Sequence, residues 1–163
     1  MRVISVVAIA ILLVGVSGCA VKLCVVDSSC PQIHYLSPDG LHANPAFSHV
    51  VVTHGDAMTV HVGGQNAVDS GGAIVGKGDI AVQSVQVAKN IKTALEAGGA
   101  TLDDVIKWNI FIVEGQSIGP AYAAFQAEWG HSMSPPLVTV VLVSGLAHPD
   151  FLLEVNGVAV VSP

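Results

Sequence analysis

The run DIAVQSVQVAKNIKTALEAGG, residues 79–99, decides the fold class. Apolar or small side chains at Ile80, Ser84, Val87, Ile91 and Leu95 recur at three- or four-residue intervals, the spacing that lines one face of an α-helix. Asp79 stands just ahead of the run, where a carboxylate meets the free N–H groups of a first turn. Gly98-Gly99 ends it, because glycine enters the left-handed conformation that closes many helices. A helix with one apolar stripe must bury that stripe against another layer.

The segments around this helix supply the layer. Downstream, Leu102-Asp103-Asp104 leads into Val105 to Val113, a β-branched strand with Trp108, Ile110 and Ile112 alternating on one side. A second, shorter helix is expected from about Ile118 to Trp129, with Pro120 in its first turn and Tyr122 and Phe125 three apart on one face. Leu137 to Val143 and Phe151 to Val161 read as strands separated by Leu146-Ala147-His148-Pro149-Asp150. Upstream, Ser48 to Thr53 and Met58 to Gly64 read as a strand pair joined through His54-Gly55-Asp56, and Asp69-Ser70-Gly71-Gly72 makes the next turn. The order β-β-α-β-α-β-β describes an α+β fold, with both helices packed on one face of an antiparallel or mixed sheet. The opposite sheet face of so apolar a chain needs covering, which argues for a homo-oligomer.

Composition limits the partners. The chain has 163 residues, 52% of them hydrophobic and 11% charged, enough for one domain plus a leader. The formal charge is −6, and the basic residues are Arg2, Lys22, Lys77, Lys89, Lys92 and Lys107, so no basic stripe exists to meet a nucleic acid backbone. The histidines at 34, 42, 49, 54, 61, 131 and 148 form no HExxH-like ligand pair, and no Gly-x-Ser-x-Gly elbow occurs. Neither a metal nor a cofactor is expected.

The N-terminus reads as an export signal: Met1-Arg2, an apolar run from Val3 to Val16, then small residues before Cys19. The run is short of the ~20 residues a membrane span needs. Val16-Ser17-Gly18-Cys19 resembles a bacterial lipobox, which implies lipidation of Cys19 and tethering to a membrane surface. A plain cleaved signal, or an uncleaved anchor extending to Val26, is the competing reading. With Cys19 lipidated, Cys24 and Cys30 are left either as a disulfide in an oxidising compartment or as two free thiols. The expected organisation is a signal peptide over 1–18, a lipid-anchored linker over 19–45 rich in turn formers, and a globular domain over 46–163. The localisation expected is the cell envelope, on the periplasmic or surface side.

From Phe47 to Val161 the chain resembles the RidA (YjgF) family. Gly63-Gly64-Gln65 stands where the family has a Ser-Gly-Gln turn. Gln83, Asn90, Glu96 and Gly99 keep the family's spacing in the first helix, and Asp104, Ile106 and Lys107 open the following strand. Tyr122-Ala123-Ala124-Phe125 matches a Tyr-x-x-Phe, and Pro136, Leu146, Glu154 and Ala159 fall into the C-terminal pattern. The resemblance implies a chorismate-mutase-like trimer with small-molecule clefts between subunits. Family enzymes hydrolyse 2-imino acids to 2-keto acids and ammonia, with an arginine clamping the substrate carboxylate and a C-terminal glutamate associated with the attacking water.

Carried over position by position, the resemblance makes Glu154 the catalytic residue and Phe47, Gly64, Tyr122 and Val138 the substrate-binding ones. The family's Pro-x-Arg aligns with Pro136-Leu137-Val138, so valine replaces the clamp, and Arg2, the one arginine of the chain, leaves with the signal. A guanidinium grips a carboxylate through two parallel charge-assisted bonds and a valine through none. Phe47 replaces a tyrosine and Gly119 an asparagine, which strips further polar groups from the cleft. Glu154 interrupts the apolar run Phe151 to Val155; burial there would raise its pKa and suit it to acid/base work, while a solvated or interface strand face is the structural alternative. Three functions stay open: an imine or enamine hydrolase using Glu154, a lipid-anchored small-ligand-binding trimer, and a structural or holdase-like role at the membrane. An ordinary 2-imino acid deaminase is disfavoured by the missing arginine and by export away from the cytoplasmic enzymes that make such imines.

Overall fold

The computed structural model describes residues 32–42, 44–130 and 134–161. The segment expected to be a signal peptide, and Cys19, Cys24 and Cys30, lie outside them. Strands β1 (Gln32–Leu36), β2 (Val50–His54) and β3 (Met58–Gln65) precede helix α1 (Ile80–Ala97). Strand β4 (Val105–Val113), helix α2 (Ile118–Trp129) and strands β5 (Leu137–Val143) and β6 (Leu153–Val161) follow.

Local signals place α1. The Asp79 carboxylate accepts from the Ala81 and Val82 N–H groups at 3.0 and 3.1 Å. At the other end Gly99 adopts φ +75°, the Ala100 N–H donates to Leu95 O at 2.9 Å, and the Gly99 N–H donates to Glu96 O at 3.1 Å. That pair of bonds is a Schellman closure, and it satisfies carbonyls the helix end would otherwise leave bare. The stripe Val87, Ile91 and Leu95 is fully buried, against a core that includes Val155 and Ala159 of β6 and Trp108 of β4. Burying each such aliphatic side chain stabilises the fold by about 1.5–3 kcal/mol.

The main sheet runs β3-β6-β4-β5. β6 is antiparallel to both β3 and β4, whereas β4 and β5 are parallel from Lys107↔Leu137 to Val113↔Val143. Parallel neighbours need a crossover, and α2 provides it, which lays that helix over the β4–β5 half of the sheet. The α+β class, the order of elements from β2 onward and the two helices on one face are therefore as the sequence implied.

Two expectations are corrected. β2 and β3 do not pair with each other; β2 pairs antiparallel with β1, from Gln32↔His54 to Leu36↔Val50, as a separate ribbon. The partner strand lies inside the segment expected to be linker. Its five residues alternate, with Ile33 and Tyr35 half-buried, but five residues flanked by turn formers carry too short a pattern to read unaided. Chain packing then fixes the start of the domain: Ser48 Oγ donates to Pro135 O at 2.6 Å and the Ser48 N–H to Pro136 O at 3.1 Å. Those two bonds hold the segment preceding β2 beside the start of β5.

Buried polar groups pin the remaining loops. Gln83 is fully buried in α1; its Nε2 donates to Asp150 O at 2.7 Å and its Oε1 accepts the Leu152 N–H at 2.9 Å, fastening the helix to the entry of β6. Asn90 Nδ2 donates to Asn66 O and Val68 O at 2.9 and 2.8 Å, fastening the loop after β3. Both residues belong to the family resemblance, and in the structure each satisfies backbone groups of the neighbouring loops.

Candidate functional site

The space between α2 and the β4–β5 half of the sheet is not filled. A cavity of about 140 Å³ remains there, walled from below by Trp108 and Ile110 of β4 and Val138 and Val140 of β5. α2 covers it with residues at helical spacing, among them Ile118, Tyr122, Phe125 and Trp129, and Phe47 closes one side. Phe47 reaches the cavity because the Ser48 bonds hold its segment at the head of β5.

Three aromatic rings form one wall. Trp108 meets Phe125 and Trp129 edge-to-face, with centroids 5.8 and 5.6 Å apart, and Phe125 meets Trp129 at 6.0 Å. Edge-to-face pairs of this kind contribute about 0.5–1.5 kcal/mol each beyond their buried area. Among the described residues, none that lines the cavity is charged. Its polar side-chain atoms are those of Tyr122 and the two indoles. The Tyr122 hydroxyl accepts from Gln126 Nε2 at 3.3 Å, and Trp129 Nε1 donates to Leu102 O at 3.3 Å. Trp108 Nε1 differs: it is buried and has no hydrogen-bond partner among the described residues. A buried N–H left bare costs about 1–3 kcal/mol.

The candidate site residues fall into two groups that this chain does not bring together. Phe47, Tyr122 and Val138 all line the cavity, with Tyr122 half exposed at its mouth. Val138 is the register partner of Trp108 and its side chain faces α2. Glu154 points the other way. Leu153 and Val155 on either side of it line the cavity, so by strand alternation the Glu154 side chain is on the opposite sheet face, half-buried. The sheet itself separates it from Val138.

Gly64 shares the Glu154 face. The β3–β6 register shifts between Val62 and Gln65, a bulge that contains Gly63-Gly64. A β-carbon on Gly64 would collide with the Glu154 carboxylate. Glycine is thus the residue that lets this carboxylate lie flat over the neighbouring strand. Asn109 Nδ2 donates to Asn156 Oδ1 at 2.7 Å on the same face, next along β4 and β6. Within a single chain the two groups make two half-sites, back to back, and the clefts that the resemblance implies lie between subunits.

Trp108 was read as core, and as such it is 1% exposed, but it is also the cavity's wall. Trp129, Ile118 and Val140 were not singled out. Their signal lay in the pattern of α2, where Ile118, Ala121, Tyr122, Phe125 and Trp129 keep helical spacing, and in Val140 lying two residues beyond Val138. Among the described residues, no group of three or more His, Cys, Asp or Glu side chains is placed to hold a metal ion. No described helix is long and apolar enough to cross a membrane.

The fold and site define a class: a helix-covered mixed sheet with an apolar cavity on the helix side and a lone carboxylate on the open side. Residues 38–161 match the family model described as Endoribonuclease L-PSP, and the chain belongs to this family, the RidA (YjgF) family. A RutC family protein of Pyrococcus horikoshii is 34% identical over 98 residues, spanning 60% of this chain and 75% of that one. The crystal structure of the Rid-family protein YyfB from Yersinia pestis superposes with a TM-score of 0.66 at 27% identity, covering 78% of this chain and 97% of its own. The Escherichia coli YjgF structure gives 0.56 at 26% identity, covering 63% and 80%.

Proposed function

We propose that this protein is a small-molecule-binding member of the RidA family whose ligands are held in an apolar cleft at the contact between copies of the chain, and that it is not an ordinary 2-imino acid deaminase. One observation carries the reading: Val138 occupies the position that the resemblance gives to the clamp, and none of the described residues lining its cavity is charged. A carboxylate entering it would lose its water and gain no ion pair, and a desolvated unpaired anion is strongly disfavoured.

Two features support a site shared between copies. The half-sites of Val138 and Glu154 lie on opposite sheet faces, so one chain cannot enclose a ligand with both. β5 is also an edge strand whose Val140, Val141 and Leu142 are 47%, 40% and 52% exposed, and a long apolar edge of this kind is normally covered by a partner. The trimer expected of the family would cover it. The lipobox-like Cys19 would hold that trimer at the membrane surface of the cell envelope, away from cytoplasmic imine sources. The family model is described as an endoribonuclease, but a chain of charge −6 with scattered lysines offers no basic stripe to meet a phosphate backbone.

The apposition of Gly64 and Glu154 favours a second reading, hydrolysis of an imine or enamine without a carboxylate clamp, with Glu154 as acid/base. The deciding experiment is hydrolysis of 2-iminopropionate, generated in situ, by the chain and by its Glu154→Ala variant. Ammonia release at the uncatalysed rate in both is the expected result. Release well above that rate, lost in the variant, would make the protein an exported deaminase and sink the binding reading.

A further inference from the structure

We propose that the cavity takes an uncharged single-ring molecule with no polar group on the end it buries, recognised there by shape and apolar contact alone. The inference rests on the apolar-cleft reading above and narrows it to a ligand class.

Size sets the first limit. About 140 Å³ is close to the ~150 Å³ of an apolar protein cavity that stays dry and holds benzene. The edge-to-face cluster of Trp108, Phe125 and Trp129 offers ring faces and edges to one further ring.

Polarity sets the second. Among the described residues that line the cavity, only Tyr122, Trp108 and Trp129 carry a polar side-chain atom. Trp129 Nε1 donates to Leu102 O at 3.3 Å. Trp108 Nε1 is itself fully buried, out of reach of anything in the cavity. The Tyr122 hydroxyl accepts from Gln126 Nε2 at 3.3 Å and belongs to a half-exposed side chain. A hydroxyl or carboxylate carried into the interior would lose its water and find no side chain to replace it.

The mouth differs from the interior. Ile118, Tyr122 and Val140 are each about half exposed where they border the cavity, so a way in exists beside α2. A polar substituent left at this end keeps its solvent. The site therefore selects one end of a ring and tolerates polarity on the other.

The full chain is titrated calorimetrically with p-xylene, p-cresol and hydroquinone, which share nearly one shape and carry no, one and two hydroxyl groups, and with benzoate. p-Cresol is expected to bind within about 3-fold of p-xylene, because its hydroxyl can stay at the mouth. Hydroquinone must bury one hydroxyl whichever way it enters, and is expected to bind roughly 5- to 100-fold more weakly than p-cresol. Two variants locate the site: Ala121→Leu, which fills the interior from α2, and Val140→Phe, which narrows the half-exposed mouth. Each is expected to weaken p-xylene binding at least about 10-fold, with circular dichroism confirming the fold. Unchanged p-xylene affinity in both folded variants would place the ring elsewhere and overturn the proposal. Hydroquinone binding as tightly as p-cresol would overturn the apolar end and leave the cleft standing. Tightest binding by benzoate would overturn the uncharged class. Binding of none of the four would remove the cleft reading itself, and this inference with it.

Discussion

Gly157 on β6 lies directly opposite Trp108 on β4, and the indole stands where a β-carbon on residue 157 would be. This one missing side chain lets the largest buried residue of the core lie down across the sheet and form the floor of the cavity. Gly157→Ala is therefore expected to overpack the sheet, costing about 1–3 kcal/mol in urea unfolding and shifting tryptophan fluorescence as Trp108 is displaced. A variant as stable as the parent, with unchanged emission, would mean that Trp108 has room to move and is not held by this contact.

Gly64 and Glu154 are coupled in a different way. A β-carbon on residue 64 would meet the mobile end of the Glu154 side chain rather than backbone, so the carboxylate swings aside and the fold yields little. Gly64→Ala is expected to cost under about 1 kcal/mol, and less still in a Glu154→Ala background. A double-mutant cycle by denaturant titration measures the coupling, and strictly additive costs would show that the two residues do not share the space.

Val138→Arg returns a guanidinium to a cavity with no anion to receive it. Stability is expected to fall by about 1–3 kcal/mol. Benzoate should restore it, by about 2.7 kcal/mol at a concentration 100 times its Kd, while leaving the parent unaffected. Thermal melts with and without benzoate test both halves; equal stabilisation of parent and variant would show that position 138 does not govern carboxylate recognition.

Asp150 is held below the ordinary carboxylate pKa of 3.8, first by the hydrogen bond from Lys77 Nζ at 2.8 Å and then by the charges of Lys77 and His148. A depressed folded-state pKa contributes stability above the unfolded value and loses it as pH falls through the folded one. The stability difference between the parent and Lys77→Met should thus be present at neutral pH and close below 3.8 as Asp150 is protonated in both. The pair is exposed and its contribution small, so carboxyl NMR of Asp150 is the sharper measurement: its midpoint should rise in the variant. An unmoved midpoint would assign the depression to other groups.

Much of the fold was legible because its signals are local. Asp79, the stripe from Ile80 to Leu95 and Gly98-Gly99 each act within one or two helical turns, and α1 spans Ile80–Ala97 as they imply. The same holds for the β4 alternation and for α2, which begins two residues before Pro120. β1 escaped notice because a five-residue strand has meaning only beside its partner β2, and that partner is distant in sequence.

The sequence by itself determined the order of elements from β2 onward and the helix limits, since each depends on residue type or short-range spacing. Tertiary structure alone decided which side of the sheet each site residue serves. Strand direction and register placed Val138 beside Trp108 under α2 and turned Glu154 to the far face beside Gly64. Those outcomes depend on pairings between residues far apart in the chain, and a single sequence carries no local trace of them.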